Sequence, residues 1–193
     1  EFTPNRGDCL SINGLLRDLA VFYTVDFNQE IYTEKLNELQ LDFENLSERT
    51  CPKISFLKLE IENIPETYKG SLDNYFKDLS LNKNNLFTDV SNYLSYETGQ
   101  PTHCYDASTM SGKLLFHEID KNEEFETLLD KKITLSGKNS VFSLNDNIIN
   151  LAGIVGGKST SCSTNTKTVI VECAFFQPEA IIGKSVKYDI QSE

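Results

Sequence analysis

Residues 84–106 read NNLFTDVSNYLSYETGQPTHCYD, an apolar-periodic segment followed directly by a polar one. The periodic part predicts a helix whose apolar face carries Leu86, Val90, Tyr93 and Leu94. Gly99 favours a helix end, and Pro101 prevents the helix from restarting. We expect residues 102–106 to form a polar loop that presents His103, one of two histidines in the chain. The alternative is a partly buried, hydrogen-bonded histidine beside a helix end.

Length and composition limit the class of protein. The 193 residues, 39% of them hydrophobic, suffice for one sizeable core. No apolar run approaches the roughly 18 residues of a membrane span, and we expect a soluble, cytoplasmic protein without membrane contact. The five cysteines form no CxxC pair and one would be left over, which argues for reduced thiols and against a zinc site or a disulfide framework.

The net charge of −11 bears on nucleic-acid binding. Binding along a phosphate backbone depends on clustered lysine and arginine. In this chain the 18 lysines and arginines are outnumbered by 29 aspartates and glutamates. If a nucleic acid is a partner, we expect the chain to touch only a small part of it.

The first half of the chain predicts helices around one strand. Six apolar residues at helical spacing predict a helix near the start: Ile12, Leu15, Leu16, Leu19, Ala20 and Tyr23. An acidic linker with a short helix at Glu34–Leu39 follows. Alternation over Phe56–Ile61 predicts a strand with its odd-numbered residues inward: Leu57, Leu59 and Ile61. Ser71 is expected to cap a helix with four inward residues: Leu72, Tyr75, Phe76 and Leu79.

The second half predicts a sheet-rich region. Short apolar runs separated by turn residues are expected to be strands: 114–119, 126–129, 133–135, 141–144, 148–154 and 169–176. Pro178 suits the first turn of a closing helix that carries Ile181, Ile182 and Val186. Helices followed by strands indicate the α+β class.

The GGKST sequence at residues 156–160 raises the question of a phosphate-binding loop. Gly153 lies one residue too close to Gly157 for the Walker spacing, so a P-loop is not expected. Glycines in such a segment more commonly allow the backbone to approach a ligand closely.

Glu172 lies inside the apolar run TVIVECAFF. A carboxylate there is unfavourable unless it is paired, faces a cavity or reaches water from a strand edge. We expect His103, the loop Ala152–Gly157 and Glu172 to form three walls of one pocket. A single glutamate without a second acidic or imidazole partner is weak evidence for acid–base catalysis.

Five segments carry a resemblance to a known family: TPNRGDCLS (3–11), NN to DVSNY (84–93), TGQPTHCYD (98–106), LAGIVGG (151–157) and VECAFF (171–176). The sequence resembles the bacterial phenylalanine–tRNA ligase beta subunit. The five segments occur in that family's order and approximate spacing, across essentially the whole chain. The resemblance implies that residues 1–23 end a preceding domain and that residues 24–193 form the tRNA-editing domain. It also implies an α+β fold with layered mixed sheets flanked by helices.

The resemblance implies a hydrolytic role. An editing domain removes tyrosine mischarged on the phenylalanine tRNA, because a synthetic pocket cannot strongly exclude an added hydroxyl. The family's roles fall on eight residues: catalytic His103 and Asn92, and substrate-binding Glu172, Ser91, Ala152, Gly153, Gly156 and Ser192. Glu172 would accept the phenolic hydroxyl, and His103 would position the ester, the terminal adenosine or the attacking water. Ser192-Glu193 match the start of a family Thr-Asp-Ala stretch, and the sequence ends before its alanine.

Cofactors and partners also follow from the resemblance. Water would be the nucleophile, without a metal or cofactor, while ATP and magnesium would serve other domains of the synthetase. The 3′ end of the mischarged tRNA and the synthetase alpha subunit would be partners, and this chain would not aminoacylate. A Cys104–His103 nucleophile is less consistent, because consecutive residues generally point apart. A scaffold module whose hydrolysis has lapsed is the alternative function.

Overall fold

The computed structural model describes residues 2–3, 5–27 and 33–190. The helices in these ranges are α1 Ile12–Tyr23, α2 Gly70–Asp78, α3 Leu86–Thr98, α4 Pro178–Ile181 and α5 Lys184–Tyr188. The strands are β1 Phe43–Asn45, β2 Lys53–Glu60, β3 His103–Asp106, β4 Leu114–Asp120, β5 Glu123–Glu126, β6 Lys132–Leu135, β7 Lys138–Leu144, β8 Asn147–Leu151, β9 Val155–Gly156 and β10 Thr168–Phe175. Within the described ranges, no helix has the length and apolar character needed to cross a bilayer.

The strands form three sheets. A five-stranded sheet has the order β1-β4-β7-β8-β9, a three-stranded sheet has the order β2-β10-β3, and β5 and β6 form a hairpin. The β1–β4 pair is parallel and the other pairs are antiparallel, so the large sheet is mixed. The expected α+β class with mixed sheets is confirmed.

The main core lies between the five-stranded and three-stranded sheets. Tyr105 and Ile170 from the small sheet pack with Leu114, Phe116 and Phe142 from the large one. On the other face of the small sheet, the Cys104 thiol lies 3.8 Å from the Phe87 carbonyl oxygen of α3. The fold is therefore layered as helix, three-stranded sheet and five-stranded sheet.

Helix α3 begins and ends as its sequence indicates, but a different face is buried. The Asn85 side chain accepts from the Thr88 amide, and Gly99 closes the helix with φ +78°. The buried residues are Phe87, Asp89 and Ser91, whereas the expected Leu86, Val90, Tyr93 and Leu94 are half-buried or exposed. Asp89 can be buried because its carboxylate accepts from the Tyr68 hydroxyl and the Asn84 amide. The segment after the helix is strand β3 rather than a loop.

The inward face of β2 is the reverse of the expected one. Ile54 and Phe56 pack on the main core, while Leu57 and Leu59 remain 37% and 39% exposed. The strand begins at Lys53, earlier than predicted, and the core contact is made by the residues at that end.

One helix prediction is wrong, and a second differs in extent. No helix forms at 34–39, and the nearby strand β1 was missed because it is defined by its pairing with the distant β4. The closing helix is divided into α4 and α5 by Gly183, which has φ +76°, and Ile182 and Val186 face solvent. Pro178 does lie in the first turn of α4.

The remaining predictions differ mainly at element ends. Helix α1 forms as expected and packs against α3, although Leu16 and Leu19 are exposed. Helix α2 begins at Gly70 with Lys69 as its N-cap residue instead of Ser71, and it buries Phe76 but not Leu79. The six strand runs of the second half correspond to β4, β5, β6, β7, β8 and β10, with β5 shifted toward the N-terminus.

Candidate functional site

The strand pair β3–β10 positions the two charged or titratable residues that the sequence singled out. His103 lies directly opposite Glu172 in antiparallel register, as Tyr105 does opposite Ile170. Opposed residues project from the same face of a sheet. Since Tyr105 and Ile170 face the main core, His103 and Glu172 point toward the five-stranded sheet as well.

Glu172 is buried and hydrogen-bonded within the core. Its Oε2 accepts from the Tyr105 hydroxyl at 2.6 Å, and the Asn150 amide of β8 lies 3.4 Å from the same oxygen. Asn150 also donates to the Tyr105 hydroxyl oxygen at 2.8 Å. Glu172 is only 5% exposed and lies on the central strand of its sheet, so the water-facing edge glutamate that the sequence left open is excluded.

Burial changes the acidity of both partners. It raises the pKa of Glu172 to about 7, against the opposing effect of the Tyr105 hydrogen bond. The pKa of Tyr105 lies well above its usual value because of burial and the adjacent Glu172 charge. Near neutral pH, Tyr105 is thus a protonated donor, and Glu172 titrates between its neutral and ionised forms.

His103 presents a buried ring nitrogen without a partner. Its ring packs edge-on against Tyr105, with centroids 4.5 Å apart, and its Nε2 has no hydrogen bond to any described residue. Burial lowers the pKa of His103 to about 4, so the imidazole is neutral at pH 7. A neutral imidazole whose Nε2 lacks a partner can hydrogen-bond a ligand or a water.

Gly156 and Gly153 meet different parts of the molecule. A Cβ built on Gly156 would lie 2.2 Å from His103 Cε1, so glycine allows the β8–β9 segment to approach the imidazole. A Cβ on Gly153, where φ is +70°, would meet Ile181 and Phe176 instead. Ala152, which precedes both glycines in the sequence, is buried in the main core. The loop therefore spans from His103 to the α4 region, and Gly156 and Glu172 both lie beside His103. The two described cavities are lined by other residues, so the expected pocket with these three walls stays a prediction.

The structure does not bring Ser91 into the Glu172 network. Its hydroxyl donates to the Thr102 carbonyl oxygen at 2.7 Å, and it lies on α3, which covers the opposite face of the small sheet. Asn92 is half-buried on the same helix. Ser91 therefore contacts the residue that precedes His103, on the helix side of the small sheet. Ser192 lies outside the described residues.

Two residues of the network were missed by the sequence analysis, Tyr105 and Asn150. Tyr105 lies two residues after His103, and the strand period of two would have placed it on the same face. Asn150 is a polar residue inside the apolar run 148–154, the same kind of signal that singled out Glu172.

Cys104 and the GGKST segment have other surroundings. The Cys104 thiol points to α3, away from His103, and burial raises its pKa to about 12, so a reactive thiolate is not formed. In residues 156–160, β9 leads into a short 3-10 turn, and Lys158 pairs with Glu126 and Asp130. A P-loop geometry, which needs a helix after the glycines, is absent from this described segment.

Other features lie away from this network. Among the described residues, Asp8, Cys9 and Asp18 form one group with metal-ligand spacing, but Arg6 already pairs with both carboxylates. The larger of two described cavities, about 730 Å³, lies at the end of the small sheet. Its lining comprises Pro52, Lys53, Ile54, Ser55, Gln100, Cys173, Ala174 and Phe175, and so begins one residue beyond Glu172.

The family of the chain follows from its comparison with known proteins. The sequence profile of the B3/4 domain matches residues 56–193. The chain belongs to the B3/4 domain family. Over 205 residues that cover all of this chain, it is 30% identical to the phenylalanine–tRNA ligase beta subunit of Neisseria gonorrhoeae. Over 99% of the chain, it is 30% identical to the same subunit of the Wolbachia of Brugia malayi.

The fold of this B3/4 domain chain is also found in a solved structure. An N-terminal fragment of the phenylalanyl-tRNA synthetase beta subunit from Pyrococcus horikoshii matches 92% of the chain and 55% of its own length, with a TM-score of 0.55 and 13% identity. At that identity the match concerns the fold alone. The chain spans about a quarter of the length of the two curated relatives, 25% and 26% respectively. The resemblance to the phenylalanine–tRNA ligase beta subunit is confirmed.

Proposed function

We propose that this B3/4 domain hydrolyses tyrosine mischarged on the phenylalanine tRNA, as the editing domain of a phenylalanine–tRNA ligase beta subunit. The observation that carries the proposal is the buried Glu172 directly opposite His103, whose Nε2 is buried without a partner in the described residues. The names of the curated relatives supply the aminoacyl-tRNA context.

A buried carboxylate suits the selectivity that editing requires. A tyrosyl group can donate its phenolic hydroxyl to Glu172, whereas a phenylalanyl group would leave the carboxylate without that partner. A site built around a hydrogen bond rejects an analogue lacking the group by a large factor, because the buried acceptor is left unpaired. Editing selectivity is thus opposite to that of a pocket that selects phenylalanine by shape.

His103 is suited to the ester end of the substrate. Its imidazole is neutral at pH 7, so it can accept from a water or hydrogen-bond the aminoacyl ester or the terminal adenosine without carrying a charge. In this proposal Ala152, Gly153 and Gly156 form the small-residue wall. Ser91 and Asn92 are assigned to the ester side on the resemblance alone, since α3 covers the other face of the small sheet. Ser192 is assigned to substrate binding on the resemblance alone.

The wider assignments belong to the same proposal. Residues 1–23 would close a preceding domain, and residues 24–193 would form the editing domain. The partners would be the 3′ end of the mischarged tRNA and the synthetase alpha subunit, in the cytoplasm. The hydrolysis would need no cofactor in this chain, and ATP with magnesium would serve aminoacylation in other domains.

Tyrosine release from mischarged phenylalanine tRNA tests the proposal. The assay uses the full-length beta subunit assembled with its alpha subunit, as wild type, Glu172→Ala and His103→Ala. Asp89→Asn is a matched control, because Asp89 is another buried carboxylate bonded to a tyrosine hydroxyl at 2.6 Å, on the helix side of the small sheet. We expect both site variants to slow release at least tenfold and the control to retain it. Release by the wild type at the uncatalysed rate would leave the scaffold role instead.

A further inference from the structure

The hydrogen bonds around Glu172 have a fixed direction. The Asn150 side-chain nitrogen is a donor only, so the Tyr105 oxygen accepts from it and the Tyr105 proton is left for Glu172 Oε2. Tyr105 is fully buried and Asn150 is 4% exposed, which leaves neither group the option of bonding to bulk water. Glu172 Oε2 is therefore occupied by groups of the chain itself.

The second oxygen of Glu172 has a different environment. No described residue donates a hydrogen bond to Oε1, and the fully buried side-chain atoms without a partner in those same ranges are His103 Nε2 and Thr160 Oγ1. Oε1 is therefore not engaged by the Tyr105 and Asn150 side chains, which both approach Oε2. A carboxylate oxygen has two lone-pair sites and can accept a further donor there.

We infer that Tyr105 and Asn150 are positioning residues, which hold Glu172 through Oε2 so that Oε1 accepts the hydroxyl of the tyrosyl substrate. This inference rests on the proposed editing function and names two residues that the sequence resemblance did not assign. Its physical basis is preorganisation. A carboxylate already held in one orientation loses less rotational freedom when the substrate binds, and discrimination improves accordingly.

The same hydrogen bond affects the ionisation of Glu172. The Tyr105 hydroxyl lowers the pKa of Glu172 against the larger effect of burial, and so favours the ionised form that is the stronger acceptor. The other titratable groups around Glu172 are His103, Cys51, Cys104 and Cys173. All of them are neutral at pH 7, because burial lowers the imidazole pKa and raises the thiol pKa values. Glu172 is then the group of this set that titrates near neutrality.

Tyr105→Phe tests the inference, because it removes one oxygen atom and keeps the ring. In the assembled synthetase, we measure kcat/KM for hydrolysis of tyrosyl and phenylalanyl esters of the same tRNA between pH 6 and pH 9. We expect the tyrosyl-to-phenylalanyl ratio to fall about tenfold at pH 7, the equivalent of one hydrogen bond of about 1.4 kcal/mol. The pH at which discrimination is half-maximal should move upward. Asn150→Ala should change both quantities in the same direction by less.

The control is Tyr68→Phe, which removes another phenol–carboxylate hydrogen bond of 2.6 Å, to Asp89. It should leave the ratio and its pH midpoint unchanged, although it also lowers stability. A second measurement covers the case in which Tyr105→Phe folds poorly in the synthetase. Titration of the labelled Glu172 carboxyl by NMR in this chain should show a higher pKa in Asn150→Ala than in wild type.

The outcomes separate this inference from the proposed function. If the wild type releases no tyrosine, the editing proposal fails first. If the wild type discriminates and Tyr105→Phe discriminates equally well or better, Tyr105 is neutral or competes with the substrate hydroxyl, and the positioning role is wrong. An unchanged Glu172 pKa in Asn150→Ala likewise contradicts it.

Discussion

Gly156 lies against the edge of the His103 imidazole, so closely that a Cβ built on it would be 2.2 Å from Cε1 and 2.6 Å from Nε2. The β8–β9 segment and strand β3 can meet only because residue 156 has no side chain. The close approach also helps to bury Nε2, the nitrogen that has no partner in the described chain.

Gly156→Ala should displace the His103 ring. Overpacking of this kind typically costs about 1–3 kcal/mol. We expect the free energy of unfolding to fall by about 2 kcal/mol in urea denaturation, and tyrosine release to fall at least tenfold. In a His103→Ala background the same substitution should cost less than half as much, because the clashing ring is gone. Equal costs in both backgrounds would show that the contact does not explain the effect.

Gly153→Ala should act through the backbone instead. The residue has φ +70°, a conformation that a side chain disfavours by about 1 kcal/mol. The added methyl would meet the flexible end of Ile181, which can rotate away. We expect a loss of about 1 kcal/mol that is additive with His103→Ala, measured by the same urea denaturation. Strong coupling between the two substitutions would be inconsistent with the separate surroundings of the two glycines.

Glu172→Gln should change how stability depends on pH. The folded pKa of about 7 lies above the unfolded value of 4.5, so the folded state binds more protons between them and wild-type stability falls as the pH rises through this window. The stability of the Gln variant relative to wild type should therefore increase by up to about 3 kcal/mol from pH 4.5 to pH 8. Chemical denaturation at several pH values measures it, and parallel curves for the two proteins would contradict the raised pKa.

His103→Gln should have the opposite pH signature. The folded pKa of about 4 lies below the unfolded value of 6.5, so the unfolded state binds more protons and wild-type stability is lost as the pH falls through this window. The stability advantage of wild type over the variant should shrink by up to about 3 kcal/mol from pH 7 to pH 4. His117→Gln is the comparison. Burial also lowers the pKa of His117, but the His117 ring has a hydrogen-bond partner, the Ser143 hydroxyl. A larger effect at His117 than at His103 would contradict the assignment.

Local patterns predicted the elements better than their faces. The helix ended by Gly99, the helix near the start and the strand runs of the second half all follow from short-range periodicity and turn residues. The inward face of β2 could not be predicted, because Ile54 and Leu57 are equally apolar and only the long-range pairing with β10 decides which faces the core. Asp89 is buried because Tyr68 and Asn84 donate to it, which hydropathy does not record.

The sequence predicted some residues of the candidate site and missed others. His103 and Glu172 stood out as single unusual residues, and the glycines of the loop Ala152–Gly157 as a group. The structure places both Gly156 and Glu172 beside His103. Ser91 and Asn92 came from the resemblance, and helix α3 places them on the other face of the small sheet. Tyr105 and Asn150 were missed because their importance lies in hydrogen bonds between β3, β8 and β10, which are far apart in sequence.

The most direct test of the central claim is the hydrolysis ratio of the two esters in Glu172→Gln. Glutamine keeps the size of the side chain but replaces the carboxylate, so the variant isolates recognition of the phenolic hydroxyl. The measurement is kcat/KM for hydrolysis of phenylalanine tRNA that carries either tyrosine or phenylalanine. It uses the assembled synthetase at pH 8, where wild-type Glu172 is mostly ionised. We predict that wild type prefers the tyrosyl ester and that the ratio of tyrosyl to phenylalanyl kcat/KM is at least about tenfold lower in the variant. An unchanged preference would show that Glu172 does not recognise the hydroxyl.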